Sequence, residues 1–170
     1  STVRGWGSGQ GAFVPIGLTN VVAIAAAGSR SLALKADGAV VAWGDTYPVP
    51  AGATNLVAIA CGGSHNLGLR ADGTVVAWGS NSFGESSVPS GLSNVARIAA
   101  GSFLSLALKN DGTLTVWGWK AALENQPPGD VTHWADIASN WFNVGLATNG
   151  RVRVWGTMTA AYTAVPASVP

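Results

Sequence analysis

Apolar residues fall along this chain in short runs. VVAIAAA at 21–27, LVAIACG at 56–62, VARIAAG at 95–101 and WADIAS at 134–139 each precede, after a short loop, a second run. These second runs are SLALKA at 31–36, NLGLRA at 66–71, SLALKN at 105–110 and NVGLAT at 143–148. A turn follows at Asp37-Gly38, Asp72-Gly73, Asp111-Gly112 or Asn149-Gly150, and then a run ending in Trp-Gly. VVAWG occurs at 40–44 and again at 75–79, with looser copies VRGWG at 3–7, LTVWG at 114–118 and VRVWG at 152–156. No segment has the 3.6-residue apolar spacing of an amphipathic helix, so the runs predict strands. Asp-Gly and Asn-Gly between apolar strands predict tight hairpins with type I′ turns, in which glycine takes the positive φ. After Trp-Gly comes an irregular stretch ending in Val14-Pro15, Val49-Pro50, Val88-Pro89 or Val165-Pro166; the fourth unit has Gln126-Pro127-Pro128 instead. Proline donates no ladder hydrogen bond, so these pairs are expected on an outer edge strand or just beyond it.

The tryptophans at 6, 43, 78, 117 and 155 are 37, 35, 39 and 38 residues apart. Four short strands repeated at this period match a propeller blade. The units run from a partial one at 1–20 through 21–55, 56–94, 95–133 and 134–170, all within a single domain, 1–170. VVAW lacks polar alternation, as expected of a strand covered on both faces. The Ala-rich first strand suits the crowded axis, and Trp suits the divergent outer part. Burying one Trp removes ~200 Å² from water, roughly 5 kcal/mol of gross burial, so Trp6, Trp43, Trp78, Trp117 and Trp155 are assigned to structure rather than to a ligand. The fold expected is an all-β propeller of about four and a half blades. Its ring is small, incomplete, or completed by another chain as a homo-oligomer; a closed ring of four is less favoured, because four full units and a leading Trp-Gly strand do not close simply, although an open end exposes unpaired strand edge, which soluble proteins avoid.

Charge removes several functions. Charged residues make up 10% of the chain and the net charge is +1, with the basic residues scattered singly. Neither nucleic acid nor an anionic membrane is expected as a partner. The longest strictly apolar run, VVAIAAA, is far shorter than the ~18 residues of a spanning helix. A start at Ser1 is compatible with a processed chain, and the expected location is secreted or at the cell surface. The single cysteine, Cys61, reads as a small buried residue. His65 and His133 stand in different units, and no Cys-x-x-Cys or His-Glu-x-x-His spacing is present, so no metal, no cofactor and no enzymatic activity are expected. Gly5-x-Gly7-x-Gly9 opens no helix and is a poor phosphate cradle. The aspartates of the turns are explained by backbone geometry, and the serines at 29, 31, 64, 102 and 105 have no histidine and carboxylate at repeated positions.

The units resemble the repeats of the regulator of chromosome condensation family. The shared phrase runs Ala-Ile-Ala-Ala-Gly, two variable residues, His-Ser-Leu-Ala-Leu-Lys, Asp-Gly and Val-Val-Ala-Trp-Gly. It covers nearly the whole chain and is sharpest in units one to three. The short unit and its Val-Pro linker are more similar to bacterial members, among them a secreted propeller that inhibits β-lactamases. The resemblance implies a propeller, usually of seven blades. The family's histidine before Ser-Leu is Arg30, His65, Leu104 and Phe142 here, so only His65 keeps it.

The loop between the first two strands varies while its flanks do not. It reads Gly28-Ser29-Arg30, Gly63-Ser64-His65, Ser102-Phe103-Leu104 and Asn140-Trp141-Phe142. Aromatic and Arg residues on a rigid rim are the types that anchor protein interfaces, and in the inhibitor propellers the resemblance implies the same use of these loops. Arg30, His65, Phe103, Leu104, Trp141 and Phe142 are therefore the candidate protein-binding residues. Phe103 and Trp141 suit display and packing equally, whereas Phe142 suits packing better; His65 reads as a structural hydrogen-bonding residue. Tyr47, Trp119 and Tyr162 follow Trp-Gly strands and are expected on the opposite or outer rim. The functional expectation is a non-catalytic protein-binding module, in its sharper form an inhibitor. The alternatives are a carbohydrate-binding or adhesin-like domain and a structural segment of a larger surface protein, with guanine-nucleotide exchange further down.

Overall fold

The computed structural model describes residues 2–7, 10–45, 47–119 and 125–156. Twelve strands form four antiparallel sheets of three, each in sequence order. Blade 1 holds β1 (Val21–Ala27), β2 (Arg30–Lys35) and β3 (Val40–Gly44). Blade 2 holds β4 (Leu56–Cys61), β5 (His65–Arg70) and β6 (Val75–Gly79). Blade 3 holds β7 (Val95–Ala100), β8 (Leu104–Lys109) and β9 (Leu114–Gly118), and blade 4 holds β10 (Trp134–Ser139), β11 (Asn143–Ala147) and β12 (Val152–Trp155). A single 3-10 turn, η1 (Gln10–Ala12), precedes them.

The fold is the all-β propeller architecture expected, with three corrections of detail. Among the described residues no sheet has a fourth strand. The proline-bearing linkers close into turns instead: Leu18 N–H donates to Pro15 O at 3.3 Å, Ala53 to Pro50 at 2.9 Å, Leu92 to Pro89 at 3.2 Å and Val131 to Pro128 at 3.2 Å. A proline carbonyl can accept where its nitrogen cannot donate, and Pro128 fills in unit four the place that Val-Pro fills elsewhere. Val165-Pro166 and Tyr162 lie outside the described residues. The second correction is the leading Trp-Gly run at 3–7, which is not a strand, so the half blade contributes no sheet.

Third, the hairpin turns are not type I′. In each, the Gly N–H donates three residues back, as Gly38 to Lys35 O at 2.9 Å and Gly73 to Arg70 O at 3.0 Å. Gly38, Gly73, Gly112 and Gly150 have φ of 78–83°, while the Asp or Asn before each glycine is not left-handed. That is a type I turn followed by a left-handed glycine, the usual three-residue hairpin loop. The aspartates close the turn from the side. Asp72 Oδ1 accepts from Thr74 N at 2.9 Å, Asp111 Oδ1 from Thr113 N at 2.9 Å and Asn149 Oδ1 from Arg151 N at 3.1 Å.

Blades stack in sequence. First strands lie against one another, β1 on β4, β4 on β7 and β7 on β10, as the innermost strands of converging blades do; no comparable packing joins blade 4 to blade 1. The described residues therefore form an open arc. Leu34 of blade 1 packs with Leu56 and Ile59 of blade 2. Leu67 and Leu69 of blade 2 pack with Val95, Ile98 and Trp117 of blade 3, and Leu106 and Leu108 of blade 3 pack with Trp134, Ile137 and Trp155 of blade 4. Of the five repeat tryptophans, Trp78, Trp117 and Trp155 are buried and Trp43 is half-buried, whereas Trp6 is 89% exposed. Trp6 is thus not a core residue of this arc, because no sheet precedes blade 1 to cover it.

Candidate functional site at one end of the blades

The loops between first and second strands emerge at the end of each blade where its Trp-Gly strand finishes. Pairing requires this, since His65 faces Gly79 and Leu104 faces Gly118 across their ladders. Backbone bonds tie each loop to the segment after Trp-Gly: Asp45 N to Ser29 O at 3.2 Å, Ser80 N to Ser64 O at 2.8 Å and Trp119 N to Phe103 O at 2.9 Å. Others cross between blades, with Gly63 N donating to Gly101 O at 3.0 Å and Ser102 N to Asn140 O at 2.9 Å. The glycine at 63 has a clear cause, because a Cβ there would lie 2.7 Å from Ser102 O. The loops thus form a hydrogen-bonded belt over the end of the arc.

Tyr47 and Trp119 belong to this belt, not to the opposite or outer rim. The chain reverses only after Trp-Gly, so residues just beyond it stay at the same end. Phe83, which the loop comparison missed because it lies in the irregular linker, joins them. Phe83 and Phe103 meet edge-on with centroids 5.0 Å apart, and Trp119 stands 6.3 Å from Phe83 and 6.4 Å from Phe103. Such edge contacts each add ~0.5–1.5 kcal/mol beyond area burial. Trp141, 66% exposed, borders a cavity of about 210 Å³ together with Phe103, Leu104, Trp119, Asn125 and Asn143. Phe142 is partly buried.

The other candidates point inward. Arg30, His65 and Leu104 are buried, so they support the display end instead of presenting themselves there. Each is the first residue of its second strand, and that position faces the seam between blades. Arg30 Nη2 donates to Gly62 O at 2.6 Å and to Gly63 O, which fastens blade 1 to the loop of blade 2.

His65 Nε2 lies 2.8 Å from Ser105 Oγ of blade 3, and Ser105 Oγ donates to Glu85 O at 2.8 Å. Since the hydroxyl proton is committed to that carbonyl, Nε2 must carry the ring proton and donate to Oγ. A base cannot take a proton from a group to which it is donating, so the trio is not a nucleophile and its activator. All three residues are fully buried. Burial pushes the His65 pKa down to about 4, with the Glu85 charge opposing and Arg30 adding to the fall. Burial alone would push the Glu85 carboxyl up, but hydrogen bonds from Ser80 and from the backbone N–H groups of Glu85 and Phe83, together with His65, leave it below its ordinary value. Repeat positions equivalent to Ser105 do related work. Ser31 Oγ donates to Gly11 O at 3.1 Å and Asn143 Nδ2 to Asn125 Oδ1 at 3.4 Å. Tryptophan indoles reach the same linkers: Trp43 Nε1 to Gly11 O at 2.8 Å, Trp117 to Glu85 O at 2.9 Å and Trp155 to Asn125 O at 3.1 Å. His133 occupies the place taken elsewhere by Asn20, Asn55 and Asn94, where the backbone carbonyl accepts from the chain after the second strand, as Thr148 N to His133 O at 3.1 Å.

Among the described residues no three His, Cys, Asp or Glu side chains converge as a metal site would require. No helix among them is long and apolar enough to cross a membrane.

These features define a β-propeller arc whose buried seams hold up a rigid, aromatic end face. Its second unit is identified by sequence: residues 56–85 match the regulator of chromosome condensation (RCC1) repeat. No curated protein matches the whole sequence significantly. Among solved structures, the ectodomain of the Physcomitrella patens receptor kinase CR4 superposes with a TM-score of 0.71 at 25% identity, over 82% of this chain and 42% of that one. Prp20p from Saccharomyces cerevisiae, whose structure was determined with its binding properties to Gsp1p and histones, gives 0.69 at 24% identity, over 86% of this chain and 46% of that one. The ectodomain of the Arabidopsis thaliana receptor kinase ACR4 gives 0.63 at 23%, over 80% and 49%. The chain thus spans less than half the length of each of these proteins.

Proposed function

We propose that this chain is a non-catalytic protein-binding module and that the aromatic end formed by the linker after blade 2 and by blades 3 and 4 is its recognition surface. The observation that carries this reading is the cluster of Phe83, Phe103 and Trp119 beside the exposed Trp141 and its cavity. Large rings held in place by packing and by backbone bonds lose little entropy on binding, and clustered aromatics are the usual anchors of interfaces. Prp20p, a propeller of the same fold, is described with protein partners, which is consistent with this use of the scaffold. In the finer, inhibitor-type form of the proposal, Trp141 enters a partner's cleft.

The test uses the chain as bait for a displayed library of folded protein domains, followed by calorimetric titration of an enriched binder. Trp141→Ala and Phe83→Ala are each expected to weaken binding roughly five- to fiftyfold, about 1–2.3 kcal/mol, Trp141→Ala at nearly unchanged melting temperature and Phe83→Ala with a lower one, since it also loses two ring contacts. Unchanged affinity in both variants overturns the proposal. So does a glycan array on which the wild type binds and Trp141→Ala does not, since that outcome assigns the same rings to sugar stacking.

A further inference from the structure

Every internal seam joins the same two surfaces. The front of a blade presents the isoleucine of its first strand, Ile59, Ile98 or Ile137, and the back of the preceding blade presents a leucine of its second strand, Leu34, Leu69 or Leu108. Those three leucines are 1%, 4% and 3% exposed, and the three isoleucines are partly buried. Among the described residues, the two ends of the arc carry the same repeat positions without a counterpart. Ile24 on the front of blade 1 is 67% exposed, and Leu146 on the back of blade 4 is 38% exposed. Ala138, equivalent to the buried Ala99, is exposed as well. In front of blade 1 runs a groove of about 380 Å³, with Trp6 and Val14 on one wall and Ile24 and Trp43 on the other.

We infer that the front of blade 1 and the back of blade 4 seat on each other between two copies of this chain. The occupant follows from continuity with the internal seams. What covers an Ile-bearing front three times within the molecule is a Leu-bearing back, and the described arc leaves one surface of each kind uncovered. Joining front to back is a heterologous contact, which closes only if the rotation returns to its start. Two arcs of four blades make a ring of eight, the upper end of the ordinary propeller range. The contact buries exposed apolar surface and removes the unpartnered sheets that a lone arc presents. This inference is independent of the aromatic end face, since neither Ile24 nor Leu146 belongs to it.

Sedimentation equilibrium of the wild-type chain tests it. The expected mass is twice 17.1 kDa. Ile24→Asp and Leu146→Asp should each shift the protein to 17.1 kDa with its near-ultraviolet circular dichroism retained. Ile24→Ser and Leu146→Ser serve where the charged variants fail to fold, with association weakened at least tenfold in Kd. Val57→Asp, at a first-strand position exposed in every blade, should leave the dimer intact. A wild type that is monomeric at 50 µM (about 50 µM being an ordinary loading concentration well above a micromolar Kd) overturns the inference. A dimer untouched by both seam variants, or an open ladder of higher masses, does so too.

Discussion

His65 is the residue whose burial has the plainest consequence for stability. Its ring is closed off between Ser105 and Glu85, with Arg30 on the blade 1 side, and its pKa falls from the ordinary 6.5 to about 4. The unfolded chain therefore takes up a proton near pH 6.5, while the folded protein refuses it until near pH 4. Stability is full above the unfolded value and is lost as pH falls through the interval, by up to ~3 kcal/mol. Asp111 acts in a lower window. Hydrogen bonds from the Thr113 side chain and backbone hold it at about 2, so its contribution is present above its ordinary 3.8 and is lost only as pH falls toward 2. Urea unfolding at pH 7.5, 5.5 and 4.5 should show a falling free energy for the wild type and a flatter profile for His65→Gln. Equal slopes in the two proteins would place the proton uptake elsewhere. Residue types alone did not reveal this trio, because its members come from β5, β8 and the linker after β6 and meet only across a seam.

At the scale of elements, the hairpins and the loop belt have different sources of order. Each hairpin is local: an Asp or Asn, a glycine in the left-handed region, and two apolar strands suffice. Hence the strands could be placed from their pattern, although the turn type could not, since type I′ and the three-residue loop both accept Asp-Gly. The belt is not local. Gly63 is required because the Ser102 carbonyl of the next blade passes close by, and no neighbour in sequence signals that. Gly63→Ala should cost ~1–3 kcal/mol, as overpacking against backbone does. Gly52→Ala, whose added Cβ would come no nearer than 3.9 Å to the Arg70 side chain, should be nearly neutral. The two urea midpoints decide it, and comparable losses would show that the belt is not tightly packed at Gly63. The described linkers form no fourth strand for an elementary reason as well: proline turns the chain where an edge strand would need a straight run of donors.

For the molecule as a whole, the position of a unit in the arc outweighs its sequence. Trp6 and Trp117 occupy the same place in the repeat, yet Trp117 is buried between blades 2 and 3 and Trp6 has no sheet in front of it. Trp117→Ala should cost ~3–5 kcal/mol, the range for deleting a buried tryptophan. Trp6→Ala should change the unfolding free energy of the dissociated chain by less than ~0.5 kcal/mol, as exposed substitutions do. Calorimetry below the association range compares them directly, and a similar fall in both would contradict an open arc. The aromatic end face is likewise a product of the assembly. Phe83, Phe103 and Trp119 come from two blades and converge only because both are stacked and end on the same side.

The amino-acid sequence by itself determined the unit: its period, its apolar strands, the position of its turns and the propeller class, since a sheet apolar on both faces can be buried only between copies of itself. Tertiary structure decided which copies are covered. Burial depends on the neighbour and not on the residue, so identical letters became core at Leu69 and exposed surface at Leu146. It also decided which loop residues face out, turning Arg30, His65 and Leu104 into seam fasteners and bringing Phe83 to the rim, because those directions are set by packing between blades that the repeat pattern does not encode.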